Sequence, residues 1–135
     1  MTARRLAREA EQLVGTPFRL HGRDPETGLD CIGLLAAAMA RAGRTITVPT
    51  GYPLRLRQLD RWLPDPASCG LRLARGRFAP GDVLLLQPGP AQFHLAIADR
   101  KLGWIHAHAG LRKVVRDAAL PGGTIIHHWR LLRTG

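Results

Sequence analysis

The chain is poor in cysteine, in acidic residues and in long apolar runs, and each shortage removes a class of protein. Two cysteines, Cys31 and Cys69, are too few for a disulfide-built scaffold. No apolar run approaches the roughly 18 residues that a membrane span needs. The opening residues, Met-Thr-Ala-Arg-Arg-Leu-Ala-Arg-Glu, carry positive charge with no apolar stretch behind them. The sequence therefore predicts no secretory signal and synthesis in the cytoplasm. Internal repeats, low-complexity tracts and linkers are also missing, which makes a single domain over residues 1–135 the expectation.

Ten acidic residues face twenty basic ones, and the formal net charge is +10. Such an excess fits an anionic partner, whether nucleic acid, a membrane surface or a cell-wall polymer. It fits a solvated, arginine-rich surface equally well, because the charges are spread along the chain and not gathered in a block. No recognition-helix pattern or RNA-binding aromatic signature is present, so nucleic acid is not an expected partner. Apolar residues make up 45%, ample for a folded core.

The patterning is helical first and strand-like later. Thr2 can cap a first helix with Leu6, Ala10, Leu13 and Val14 on one face, ended by Gly15. A loop rich in turn formers runs from Gly15 to Gly28. Asp30 then opens a second helix from Cys31 to about Ala42, apolar nearly all round and so expected at the centre of the fold. A third short helix is predicted from about Leu54 to Leu63, between two prolines. Strand patterns follow at Val83–Leu86, His94–Ala98, Trp104–His108, Arg112–Val115 and Thr124–Leu132. Helices followed by about five strands with short connections predict an α+β domain with an antiparallel sheet.

Cys31 carries the most chemical interest. At a helix start its thiol meets unpaired N–H groups and the positive end of the dipole, which favour a thiolate and lower the pKa. Gly33, two residues on, leaves room there for another backbone or a ligand. The plainer reading is a small buried hydrophobe. Cys69, in a Pro/Ser/Gly loop, reads as incidental.

A thiol nucleophile needs a base from elsewhere in the chain. His94 opens one strand and His106 lies on the next, twelve residues later, with the short connection Asp99–Gly103 between. A hairpin can put both imidazoles on one sheet face, one as base and the other orienting it. Further residues invite plainer readings. His106 and His108 share a face at i, i+2 and could bind zinc with Cys31 or His94, but the paired spacings of zinc sites are missing. His127 and His128 read as one inward and one outward residue without chemistry, and His21 as a solvated loop histidine. Asp82 reads as a turn former. Ser68 has no nucleophile-elbow context, so a serine hydrolase is unsupported.

Four segments in order resemble the NlpC/p60 family of cysteine peptidases that cut peptidoglycan. They are Gly15-Thr-Pro-Phe-Arg-Leu-His-Gly, Gly28-Leu-Asp-Cys31-Ile-Gly-Leu34, Pro80-Gly-Asp-Val-Leu-Leu-Leu86, and His94-Leu-Ala-Ile-Ala-Asp followed by Trp104-Ile-His106-Ala. The resemblance implies a papain-like fold with the Cys31 helix packed on the sheet. It implies Cys31 as nucleophile, His94 as base and then acid, and His106 as the residue orienting His94. The Cys31 backbone N–H would contribute to the oxyanion hole, with Asp30, Phe18 and Tyr52 on the oxyanion and substrate side. No metal or organic cofactor is implied. The implied substrate is an amide in the wall stem peptide, for example the bond between D-glutamate and the diamino acid.

Phe18 departs from the family's common tyrosine and cannot donate a hydrogen bond; Tyr52, the one tyrosine, is a candidate replacement. That departure keeps open a weakly active or structural tail or baseplate component of the same fold. An amidase or acyltransferase on another substrate is compatible with the same residues, and the charge alone is compatible with a basic binding module for a polyanion. The compact chain also resembles peptidases carried by phage tails or phage-like particles, which would make tail or baseplate proteins its partners and the particle its route to the wall.

Overall fold

The computed structural model describes residues 2–47, 66–90 and 92–132. Helix α1 spans Ala3–Gln12, and the Thr2 hydroxyl accepts the Arg5 N–H at 3.1 Å as its cap. Leu6 and Ala10 are buried, as the periodicity predicts, and so is Leu13 just past the helix end. Val14 is exposed instead, because the helix stops at Gln12 and the chain turns away before completing the face. Strands β1 (Arg23–Asp24) and β2 (Gly28–Leu29) form a small hairpin ahead of helix α2 (Cys31–Arg41). The predicted helix around Leu54–Leu63 lies outside the described residues.

After a 3-10 turn at Pro66–Cys69 come β3 (Leu71–Leu73), β4 (Val83–Gly89), β5 (Gln92–Ala98), β6 (Trp104–His108), β7 (Lys113–Asp117) and β8 (Thr124–Leu131). They make one antiparallel sheet in the order β3-β8-β4-β5-β6-β7. It has one strand more than the sequence pattern shows, since β3 is only three residues long with a single buried position. A three-residue strand presents too little alternation to be read.

The unbroken apolar run Val83-Leu-Leu-Leu86 is explained by burial on both faces of the sheet. Val83, Leu85, Leu95, Ile97, Ile105 and Ala107 pack with α1 and α2. Leu84, Leu86, Ala96, Ala98 and Trp104 form a smaller cluster on the opposite face, under Phe78 and Leu120. Each fully buried leucine here contributes roughly 1.5–3 kcal/mol relative to exposure.

Asp82 is more than a turn former. It is fully buried and accepts the Ala79 N–H at 2.9 Å, His128 Nε2 at 2.6 Å and Arg130 Nε at 2.7 Å. His128 therefore ties β8 to the start of β4 and stands edge-on to Phe78, while His127 stacks on Trp129. Burial alone would raise the Asp82 carboxyl, but the Arg130 and His128 bonds outweigh it and hold the group below its ordinary value.

A carboxylate held low contributes stability above its unfolded pKa, about 3.9, and loses that contribution as pH falls through the folded value. Asp82→Asn should cost about 3 kcal/mol at pH 7, the scale of breaking a buried ion pair. Denaturant unfolding at descending pH should then show the gap to wild type narrowing below about pH 4. A gap that stays constant with pH would contradict this account of Asp82.

The approach loop and α2 touch backbone to backbone. A Cβ on Gly33 would collide with the Gly22 carbonyl oxygen, so the space that Gly33 leaves is filled by another stretch of chain. Gly33→Ala should destabilise by about 1–3 kcal/mol through overpacking, measured as a lowered denaturation midpoint at unchanged slope.

Candidate active site

Helix α2 begins at Cys31 because Asp30 is extended (φ −94°, ψ −171°) and its carboxylate takes the Gly33 N–H at 2.8 Å. The same carboxylate accepts the His21 N–H at 2.8 Å and Arg23 Nη1 at 2.9 Å. Only 3% exposed, Asp30 thereby ties the approach loop to the helix start. A carboxylate acting as acceptor in these bonds is a holding group and not a donor to an oxyanion.

Cys31 is partly buried, packed against the core on the helix side of the sheet. Its sulfur is approached by the Leu95 N–H and by the Ile32 and Cys31 N–H groups. The β5–β6 ladder explains the first of these. It pairs only Ile97 with Ile105 and Ala98 with Trp104, so the Leu95 N–H, beyond its end, is available to the thiol. Cys31 thus reaches β5 next to His94 in the chain.

His94 and His106 alternate with the helix-side residues Leu95, Ile105 and Ala107 and so belong to the second face of the sheet. Their rings meet, with His94 Nε2 2.6 Å from His106 Nδ1 and the planes nearly perpendicular at 82°. On its other side His106 Nε2 lies 2.6 Å from Asp117 Oδ2, at the end of β7. His108 is a neighbour, its ring 5.8 Å from that of His106, and its Nδ1 accepts the Leu111 N–H at 3.0 Å. Among the described residues no group of three or more His, Cys, Asp or Glu side chains is arranged to hold a metal ion.

The electrostatics depart from the sequence expectation. Burial pushes the Cys31 thiol up to about 12, with the Asp30 carboxylate adding to the rise against smaller opposing N–H bonds. The helix start does supply those N–H groups, yet desolvation and the cap's own negative charge outweigh them. His94 moves the other way, down to about 4, through burial first and then the neighbouring His106 and His108. Both shifts favour the uncharged forms, a thiol at Cys31 and a neutral imidazole at His94.

The NlpC/P60 family model matches residues 15–129. The chain belongs to the NlpC/P60 family. Its fold, helices packed on an antiparallel sheet, is the papain-like α+β arrangement that membership implies, and the family is one of cell-wall peptidase-type hydrolases. No curated protein matches the chain.

Of the sequence-predicted residues in this NlpC/P60 chain, His94 and His106 are in direct contact, and the Cys31 sulfur, at the start of α2, meets the N–H of Leu95, the residue after His94. Phe18 is partly buried against the core and spends its N–H on the Arg112 carbonyl at 2.9 Å. Tyr52 lies outside the described residues. Cys69 is buried and carries no disulfide. Sequence reasoning missed Asp117. Its only signal was the β6–β7 register, which sets Asp117 opposite Trp104, two residues before His106.

A neutral thiol reacts with alkylating agents only through its small thiolate fraction. The rate of Cys31 modification by iodoacetamide, followed by peptide mass spectrometry, should therefore climb steadily from neutral to alkaline pH. A fast rate with a plateau across pH 5–8 would reveal a preformed thiolate–imidazolium pair instead.

Proposed function

We propose that this protein is a cysteine endopeptidase that cuts an amide bond in the stem peptide of peptidoglycan. The observation that carries the reading is the His94–His106 contact at 2.6 Å, with His94 on the strand whose Leu95 N–H meets the Cys31 sulfur. His94 takes the thiol proton as Cys31 attacks the scissile carbonyl, and gives it to the leaving amine as the tetrahedral intermediate collapses. Water, deprotonated by His94, then releases the acyl group and restores the thiol.

The Gly33 N–H is committed to Asp30, while the Cys31 and Ile32 N–H groups lie at the sulfur, where the reacting carbonyl would arrive. The Cys31 N–H is the donor for the oxyanion. Because proton transfer accompanies attack, the low pKa of His94 keeps it available as a base down to about pH 4. Phe18 supplies an apolar wall and no hydroxyl, so oxyanion stabilisation rests on the helix N-terminus. The same feature motivates the second reading, a structural component that keeps the fold and cuts little. Family membership does not bear on delivery by a phage tail or phage-like particle, which stays an expectation of the sequence alone.

Digestion of purified sacculi by wild type and Cys31→Ala, with released fragments identified by mass spectrometry, separates these readings. The expected result is new stem-peptide fragments from wild type alone, with at least a thousandfold loss in the variant, on the scale of losing a nucleophile. Two folded proteins giving equally empty traces would favour the structural reading or an amide outside the wall. Equal activity in both would remove Cys31 from the chemistry.

A further inference from the structure

A histidine serves as base through an unprotonated nitrogen, and in a neutral imidazole only one of the two nitrogens is unprotonated. Which one is set by the hydrogen bonds that the ring makes. Here the rings form a chain fixed at one end by Asp117. The Asp117 carboxylate only accepts, so the 2.6 Å contact requires a proton on His106 Nε2. A neutral His106 then has a bare Nδ1, which can only accept. The 2.6 Å contact from that nitrogen to His94 Nε2 accordingly requires a proton on His94 Nε2. His94 Nδ1 is left with its lone pair free.

Resting on the peptidase reading above, we infer that Asp117 is a positioning residue, which fixes the tautomer of His94 through His106 and so keeps His94 Nδ1 as the base. Asp117 touches neither substrate nor thiol. It lies on the edge strand β7 with a side chain 53% exposed, while the His106 ring it holds is only 4% exposed. The two ends of the relay are thus differently placed, with the anchor in solvent and the ring that transmits it buried. Register makes the contact possible, since the β6–β7 ladder pairs His106 with Val115 and brings Asp117 opposite Trp104 on the same face.

Without Asp117 the restraint disappears. His106 becomes free to carry its proton on Nδ1 and donate it to His94 Nε2. The His94 proton then moves to Nδ1, and the base is lost although every ring remains in place. A doubly protonated His106 would have the same consequence, because both of its nitrogens would donate.

Nitrogen-15 NMR of the histidine rings reads the tautomers directly, without substrate. In wild type at neutral pH, His94 should show a protonated Nε2 and a bare Nδ1, and His106 the same pattern. Asp117→Ala should convert both to mixtures or to the opposite tautomer. It should also lower kcat on stem peptide by about 10- to 100-fold at little-changed KM, the scale of losing an outer partner of a working histidine. Asp117→Glu, which keeps an accepting carboxylate, should restore much of both signals. Because Asp117 is half-exposed, both variants are expected to fold, and unchanged amide spectra away from β7 check this.

Unmoved His94 tautomers and an unmoved kcat in a folded Asp117→Ala would overturn the inference. So would a wild-type His94 whose proton sits on Nδ1. A wild type that hydrolyses nothing, but whose tautomers respond to Asp117→Ala as described, would support the positioning role and overturn the peptidase reading alone.

Discussion

The Asp30 carboxylate is the constraint on which the rest of the site depends. It stops the chain in an extended conformation, starts α2 at the next residue through the Gly33 N–H, and draws His21 and Arg23 of the approach loop onto the same spot. With the helix start fixed, the close contact of Gly22 and Gly33 sets the loop against the helix, and Cys31 is brought to β5 at Leu95. The same buried negative charge that places Cys31 also opposes its ionisation. The cap that builds the helix start therefore adds to the burial that holds the thiol protonated.

The sheet supplies the other half. The β5–β6 ladder ends after two pairs, and that early ending gives the thiol a backbone donor beside the histidine strand. The imidazoles are rooted on the second face of the sheet, and the helix packs on the first. Farther along the sheet the Asp82–His128–Arg130 cluster binds the start of β4 to β8, and β4 is the strand that pairs with β5 and backs His94 at Leu86. Two aspartate–histidine contacts thus lie in one sheet. One is buried and closed by an arginine, while the other opens to solvent at Asp117 and connects through His106 to His94.

What was legible in the sequence was local. The caps at Thr2 and Asp30 follow from residue type beside a periodic run, and the strands from Val83 to Leu131 follow from alternation and turn residues. Cys31, His94 and His106 could be selected because an ordered set of short motifs carries them. What escaped depends on contacts across the fold. Asp117 needs the β6–β7 register, Asp82 needs its meeting with β8, and β3 is too short for a pattern. The sign of the Cys31 shift was misjudged for the same reason. The helix N-terminus is visible in sequence, whereas the burial that outweighs it exists only once the sheet closes over the thiol.

In the proposed mechanism Cys31 and His94 both start neutral, through burial, and His94 removes the thiol proton during attack. The solvent deuterium isotope effect on kcat/KM for a stem-peptide substrate tests this most directly. The neutral pair predicts a clearly slower reaction in heavy water, because the proton moves in the transition state. A rate that is unchanged or faster in heavy water would mean that the proton had moved before substrate arrived, and would contradict the account.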